Sequence, residues 1–372
     1  TLSLHDALPI YVLVILADDL GYGDLGCYGA TLITTPAIDS LAKSGQVFTA
    51  AYAPAATCTP SRYSLLTGAY PWRQKEKQNS ILDGDAPLAI EPGRYTLATL
   101  FKNAGYQTGI VGKWHLGLGD GESRVDFNGE INPGPLEIGF DYCHIIPATV
   151  DRVPSVWIEN HRVVGLDPAD PITVSYQKNI SKEPTGLERP DLLKQQADEQ
   201  HSGGIHNGIS RIGFYTGGIK ARFRDEDLGD AWINETNKWI EAHAKEPFFL
   251  YFASHDIHVP RMPHERYQGS TTLGGMRHRF NLGLLASRYQ ARLQPQAYNY
   301  VGTGHIDGTA VVPPAPDAID PNTNRRERST ELHGQDRDHG QRQSRQGLGD
   351  RRQIARHPPG EQVQQQSDDR DH

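Results

Sequence analysis

The sequence predicts an α/β fold, a mostly parallel central sheet with helices on both faces. Three observations carry the prediction. Tyr11–Leu16 and Phe248–Ala253 are apolar runs without alternation, as strands buried on both faces require. Segments with helix start and stop signals stand between the extended runs. Each strand also stops at polar, chemically capable residues, where open α/β sheets place their ligands.

Taken in order, Tyr11–Leu16 ends at Ala17-Asp18-Asp19, with Gly21 and Gly23 beyond. Thr35 is placed to cap a helix that has Pro36 at its first position and Gly45 past its end. Val47 and Phe48 begin another extended piece. Thr59 is the expected N-cap of a helix over residues 61–67, with Pro60 at the first helical position and Gly68 closing it. Thr96 caps a helix through Asn103, closed by Gly105, and residues 106–111 return as a strand into Gly112-Lys113. Residues 116–218 are rich in Pro, Gly and Asn and predict substrate-facing loops, with short extended pieces such as 155–159. Asp225 opens an amphipathic helix with Leu228, Trp232, Thr236, Trp239 and Ile240 on one face. After Pro247, the strand Phe248–Ala253 runs into Ser254-His255-Asp256-Ile257-His258.

At 372 residues the chain has room for one large α/β domain or two smaller ones. A net charge of −8, with acids spread along the chain, argues against nucleic acid as a partner. No apolar run approaches the ~18–20 residues that span a bilayer. Cys27, Cys58 and Cys143 lack metal-type spacing, and their odd number leaves at most one pair, Cys27 with Cys143, if Cys58 is kept for chemistry. Residues 1–9 carry no signal-peptide pattern and predict a non-native or unstructured leader. Between the two ends the strand–loop–helix pattern repeats. Over residues 273–372 core-forming periodicity fades, and no lysine follows Lys245 while arginine becomes abundant. A misread frame, a chimeric join or a disordered tail is expected there.

The candidate chemistry centres on Cys58-Thr59-Pro60-Ser61-Arg62. A thiol at the mouth of a helix N-terminus, with a guanidinium one turn in, suits a tetrahedral oxyanion ester, sulfate or phosphate. Taken alone, a single cysteine such as Cys58 is more often a packing residue. Asp18 and Asp19 offer hard oxygen ligands for Ca²⁺ or Mg²⁺, or are simply a turn pair. Lys113 can supply a cation to a nonbridging oxygen and His115 a proton relay. His258 is placed to donate to an ester oxygen; His255 is open to the same role, and either to a structural one.

Ala56-Thr57-Cys58-Thr59-Pro60-Ser61-Arg62-Tyr63-Ser64-Leu65-Leu66-Thr67-Gly68 resembles the first hallmark of the type I, formylglycine-dependent sulfatases. Gly105-Tyr106-Gln107-Thr108-Gly109-Ile110-Val111-Gly112-Lys113-Trp114-His115-Leu116 resembles the second. Leu16-Ala17-Asp18-Asp19-Leu20-Gly21-Tyr22-Gly23-Asp24 is similar to their first metal-binding strand, and Ala253-Ser254-His255-Asp256-Ile257-His258-Val259-Pro260 to their later histidine segment. The resemblance covers roughly residues 10–272 in the family's order, and implies the alkaline phosphatase-like fold without its smaller C-terminal domain.

The resemblance further implies that a separate maturation enzyme oxidises Cys58 to formylglycine, whose hydrate attacks the sulfate sulfur and then collapses to release inorganic sulfate. Asp18, Asp19 and residue 58 would hold Ca²⁺ (or Mg²⁺), Arg62 would secure the hydrate, Lys113 and His258 would bind sulfate oxygens, and His115 would aid collapse. The family's downstream Asp-Asn pair and later lysine have no counterpart: the sequence contains no Asp-Asn dipeptide and no lysine after Lys245. Weak metal binding and little turnover are therefore expected.

Residues 126–176, with Asn128-Gly129-Glu130-Ile131 and Ile146-Pro147-Ala148-Thr149, resemble bacterial polysaccharide sulfatases, which implies a sulfated carbohydrate substrate. A phosphoric or phosphonic ester hydrolase of the same superfamily and a non-catalytic sulfated-glycan-binding remnant are the alternatives. Periplasmic or secreted localisation is an expectation from the family alone.

Overall fold

The computed structural model describes residues 10–74, 81–267 and 300–301. The expected leader, residues 268–272 of the expected domain and nearly all of 273–372 lie outside the described residues. Six strands form the main sheet: β1 (Tyr11–Leu16), β2 (Gln107–Lys113), β3 (Tyr142–Ile146), β4 (Ile158–Glu159), β5 (Arg162–Val163) and β6 (Phe248–Ala253). Their spatial order is β1-β6-β2-β3-β4-β5. The first four in that order are parallel neighbours, while β4 and β5 add on antiparallel.

Alternation along each strand divides the core into two layers. Phe249, Tyr251 and Ala253 of β6 join Ile110, Cys143 and Ile145 on one face, packed by Tyr63, Leu66 and Ala98. Those last three lie on α2 (Cys58–Thr67) and α3 (Leu97–Asn103). Phe248, Leu250 and Phe252 face the other way, onto Ile38, Trp232, Trp239 and Ile240. These come from α1 (Pro36–Ser44) and α4 (Leu228–Ala242), so helices do cover both faces. Each buried Phe contributes about 1.5–3 kcal/mol relative to exposure, so β6, buried at all six positions, anchors both layers.

Four expectations need correction. α2 begins at Cys58 with Thr57, in extended conformation, as its N-cap, so Cys58 is the first helical residue and Thr59 caps nothing. Asp225 starts a single 3₁₀ turn ahead of α4, and its carboxylate is paired with buried Arg211. Residues 116–218 are not all loop: β3 lies within them as a full member of the parallel sheet. Cys27 and Cys143 pack in opposite layers and all three cysteines are free.

The register aligns the strand ends. Leu16 pairs with Ala253, Ala253 with Gly112, and Gly112 with Ile145. Pairing continues past them: the Asp18 N–H donates to Asp256 O at 2.9 Å, Ile257 N–H to Asp18 O at 2.7 Å, and Trp114 N–H to Ile146 O at 3.1 Å. Gly112 has φ +118°, and a Cβ there would sit 2.0 Å from the Ala253 carbonyl oxygen. Only glycine lets β2 and β6 stay in contact at the point where the polar residues begin.

Candidate active site

The aligned strand ends deliver Asp18, Lys113 and His258 to one crevice, and α2 delivers Cys58 and Arg62. The Lys113 ammonium contacts Asp18 Oδ2 and lies 3.2 Å from Cys58 Sγ. Cys58 Sγ is 3.9 Å from Asp18 Oδ1, which is 3.6 Å from Arg62 Nη2. A ring nitrogen of His258 completes a group with Asp18 and Cys58 whose ligand atoms all lie within 4.8 Å of one another. Arg62 is fixed by donation from Nη1 to the Lys113 carbonyl at 2.8 Å.

The electrostatics follow from these contacts. Burial alone would push the Asp18 carboxyl up, but Lys113 and Arg62 hold it well below the usual carboxylate range. Burial also opposes ionisation of Cys58, yet the Lys113 charge brings its thiol below the ordinary value. His258 is driven down by burial and Lys113 but raised overall, to about 8, by its contact with Cys58 and by Asp18 and Asp151.

The other expected residues take different places. Asp19 holds a left-handed backbone, φ +59°, and its Oδ2 is 3.9 Å from His258 Nε2, so it borders the group of three without joining it. His115, φ +55°, is fully buried, its Nε2 2.8 Å from the Leu82 carbonyl. Its Nδ1 is buried with no hydrogen-bond partner among the described residues. Burial, then Lys113 and Arg152, hold the ring well below its ordinary value, so it is neutral and Nε2–H donates to Leu82. His255 is also fully buried, its Nε2 3.1 Å from the Val259 carbonyl and its ring beside Trp232. Of the two histidines, His258 is the one brought to Cys58.

Sequence reasoning missed several groups at this edge. Thr149, Asp151 and Arg152 follow β3, and the Thr149 hydroxyl contacts the Asp151 carboxylate. The signal was available: a strand recognised at Tyr142–Ile146 would have marked its trailing polar residues as the others were marked.

The donor set suits a hard divalent cation. Asp18 offers carboxylate oxygens, Asp19 stands at the border of the group, and oxygen in place of the Cys58 sulfur would extend the same chemistry. Imidazole and thiol alone would suit a softer metal.

The family model described as Sulfatase matches residues 10–294. Among curated proteins, the N-acetylgalactosamine-6-O-sulfatase of Bacteroides thetaiotaomicron is 53% identical over 263 residues, covering 71% of this chain and 51% of that protein. Arylsulfatase A of Bos taurus is 32% identical over 275 residues, covering 73% and 46%. A solved structure described under the metabolism of multiple glycosaminoglycans by Bacteroides thetaiotaomicron has a TM-score of 0.74 at 49% identity, covering 77% of this chain and 59% of that one. The chain spans about half the length of the curated relatives it matches. Members of this family generally use a metal ion and a formylglycine residue. With its parallel sheet, its strand-end carboxylates and most of its length matched by the family model, the chain belongs to the sulfatase family.

Proposed function

We propose that the protein hydrolyses a sulfate ester of a carbohydrate, specifically a 6-O-sulfated N-acetylhexosamine, with residue 58 as nucleophile. The observation that carries this is the 3.2 Å approach of Lys113 Nζ to Cys58 Sγ, with Asp18 and Arg62 held against the same pair. Two buried cations beside a nucleophile position suit a doubly charged leaving sulfate. The sugar is taken from the relative's activity on N-acetylgalactosamine 6-sulfate.

A separate maturation enzyme converts Cys58 to formylglycine, whose hydrate supplies one hydroxyl to attack sulfur and a second whose deprotonation releases sulfate. Lys113 and Arg62 neutralise the sulfate oxygens. His258 donates to the ester oxygen that leaves with the sugar. His115, its Nε2–H engaged by Leu82, keeps a lone pair on Nδ1 that accepts from a residue 58 hydroxyl. Asp18, with Asp19 beside it, would hold a hard divalent cation such as Ca²⁺, which would offset the carboxylate charge and supply Lewis-acid polarisation of the ester.

The test is co-expression with a formylglycine-generating enzyme, then mass spectrometry of tryptic peptide 44–62. Sulfate release from N-acetylgalactosamine 6-sulfate is measured beside phosphate release from the matching 6-phosphate. Aldehyde at position 58 and sulfate release above a Cys58→Ala control are expected. Faster phosphate release would move the protein to the phosphoester reading; glycan affinity without aldehyde or turnover would make it a binding protein.

A further inference from the structure

The geometry points to Arg152 and Asp83 as a sugar-reading subsite at the rim of the Cys58 crevice, contacting hydroxyl and acetamido groups of the ring that carries the sulfate. This rests on the sulfate-ester reading and adds the residues that select the sugar.

Asp83 follows directly on the reaction centre. Its neighbour Leu82 accepts the His115 ring on its carbonyl, and the Leu82 N–H donates to the Thr59 hydroxyl at 3.3 Å. Arg152 reaches the same place from the end of β3, next to Asp151. The two segments are clamped by one side chain: the Gly84 N–H donates to the Tyr176 hydroxyl at 2.8 Å, and that hydroxyl donates to the Val153 carbonyl. A Cβ on Gly84 would lie 2.2 Å from the Val153 carbonyl oxygen, so this approach is closed to any other residue. Asp83 and Arg152 are thus held by a rigid backbone contact.

Their own bonding is unfinished. A guanidinium offers five N–H donors. Among the described residues Arg152 makes one side-chain hydrogen bond, from Nη1 to Thr149 Oγ1 at 3.3 Å. Its Nε is buried with no hydrogen-bond partner and stands 3.7 Å from Asp83 Oδ1, too far for a direct bond. Nη1 is likewise 3.7 Å from Asp151 Oδ1. The Arg152 side chain is 14% exposed and that of Asp83 45%, so a ligand reaches the pair from the open side. Buried donors without partners are costly, and a structural ion pair would close the 3.7 Å gap. A sugar hydroxyl both donates and accepts. Set between Nε and Oδ1, it satisfies donor and acceptor together, and an acetamido oxygen takes a further N–H.

The test compares two affinities by calorimetry on the full chain, for N-acetylgalactosamine 6-sulfate and for inorganic sulfate. The wild type is expected to favour the sulfated sugar. Arg152→Gln and Asp83→Asn should each lower the ratio of the two affinities about tenfold, the worth of one charge-assisted hydrogen bond. Asp83→Asn, at a half-exposed side chain, guards against misfolding of the arginine variant. An unchanged ratio in both variants overturns the subsite, as does a wild type with no preference for the sugar or no binding of either ligand. If the ratios shift as expected but matured protein releases no sulfate, the hydrolase reading fails and the subsite stands.

Discussion

The Thr59 hydroxyl donates to the His115 carbonyl at 2.9 Å while accepting from the Leu82 N–H at 3.3 Å. The residue after Cys58 is thereby tied to the segment after Lys113, which fixes helix mouth and strand end against each other. Thr59→Val keeps the shape but leaves a buried carbonyl and a buried N–H unpaired. A loss of about 1–3 kcal/mol in urea denaturation is expected, largely restored in Thr59→Ser. A Val variant as stable as the wild type would show that the clamp does not matter.

Lys113 and Asp18 form a pair with side chains 0% and 5% exposed. Breaking such a pair from one side typically costs about 3–5 kcal/mol, because the remaining charge is buried alone. Lys113→Met should fall near the lower end, since Arg62 Nη2 stays 3.6 Å from Asp18. Adding Asp18→Asn should recover much of the loss, and the double-mutant cycle reads the coupling directly. Additive losses would mean that the two charges stabilise the fold independently. Lys113→Met should also lower sulfate release by about 10²–10³-fold, as removal of one donor to a developing oxyanion does.

The parts of this site that were legible in the sequence sit at recognisable strand ends and at the helix start around Cys58 and Arg62. Tyr11–Leu16 and Phe248–Ala253 announce their own ends, so Asp18 and His258 could be placed by rule. Tyr142–Ile146 could not, because His144 interrupts a five-residue strand inside Pro- and Gly-rich surroundings. Thr149, Asp151 and Arg152 were lost with it. Thr57 and Thr59 both fit an N-cap locally; what separates them is a tertiary partner for the Thr59 hydroxyl, invisible to local pattern. His255 and His258 differ in the same way, since one is fully buried beside Trp232 and the other reaches Cys58.

His201 provides a pH-dependent contribution to stability away from the nucleophile. Its Nε2 is 3.0 Å from Asp151 Oδ2 and its Nδ1 2.9 Å from Asp198. Asp151 first, against burial and with help from Asp198, raises His201 above its ordinary 6.5. A raised histidine stabilises fully below its unfolded pKa and loses that contribution as pH rises through the folded value. Asp151 behaves oppositely: burial resists, but His201 and His258 hold it far below 3.8, so its contribution disappears only as pH falls below that value. Melting temperatures of wild type and His201→Gln should therefore differ most near about pH 5 and converge toward about pH 9. A constant difference across that range would contradict the assignment.

Calcium affinity tests how complete the cation site is. Asp18 and Asp19 are adjacent, but the sequence has no Asp-Asn dipeptide to add the oxygens that family resemblance leads one to expect. Ca²⁺ takes about six to eight oxygen ligands, and sites poor in carboxylates bind on the order of 10⁻⁴–10⁻³ M. The Lys113 ammonium, already against Asp18 Oδ2, repels a second cation from the same oxygens and weakens binding further. Calorimetric titration of the chain with Ca²⁺ should accordingly give a Kd on the order of 10⁻⁴ M or weaker, and Asp18→Asn should abolish the signal. Lys113→Met should tighten binding by removing the competing charge. Stoichiometric uptake on the order of 10⁻⁶ M or tighter would require oxygen ligands beyond these two aspartates, and would refute the idea that Asp18 and Asp19 carry the site alone.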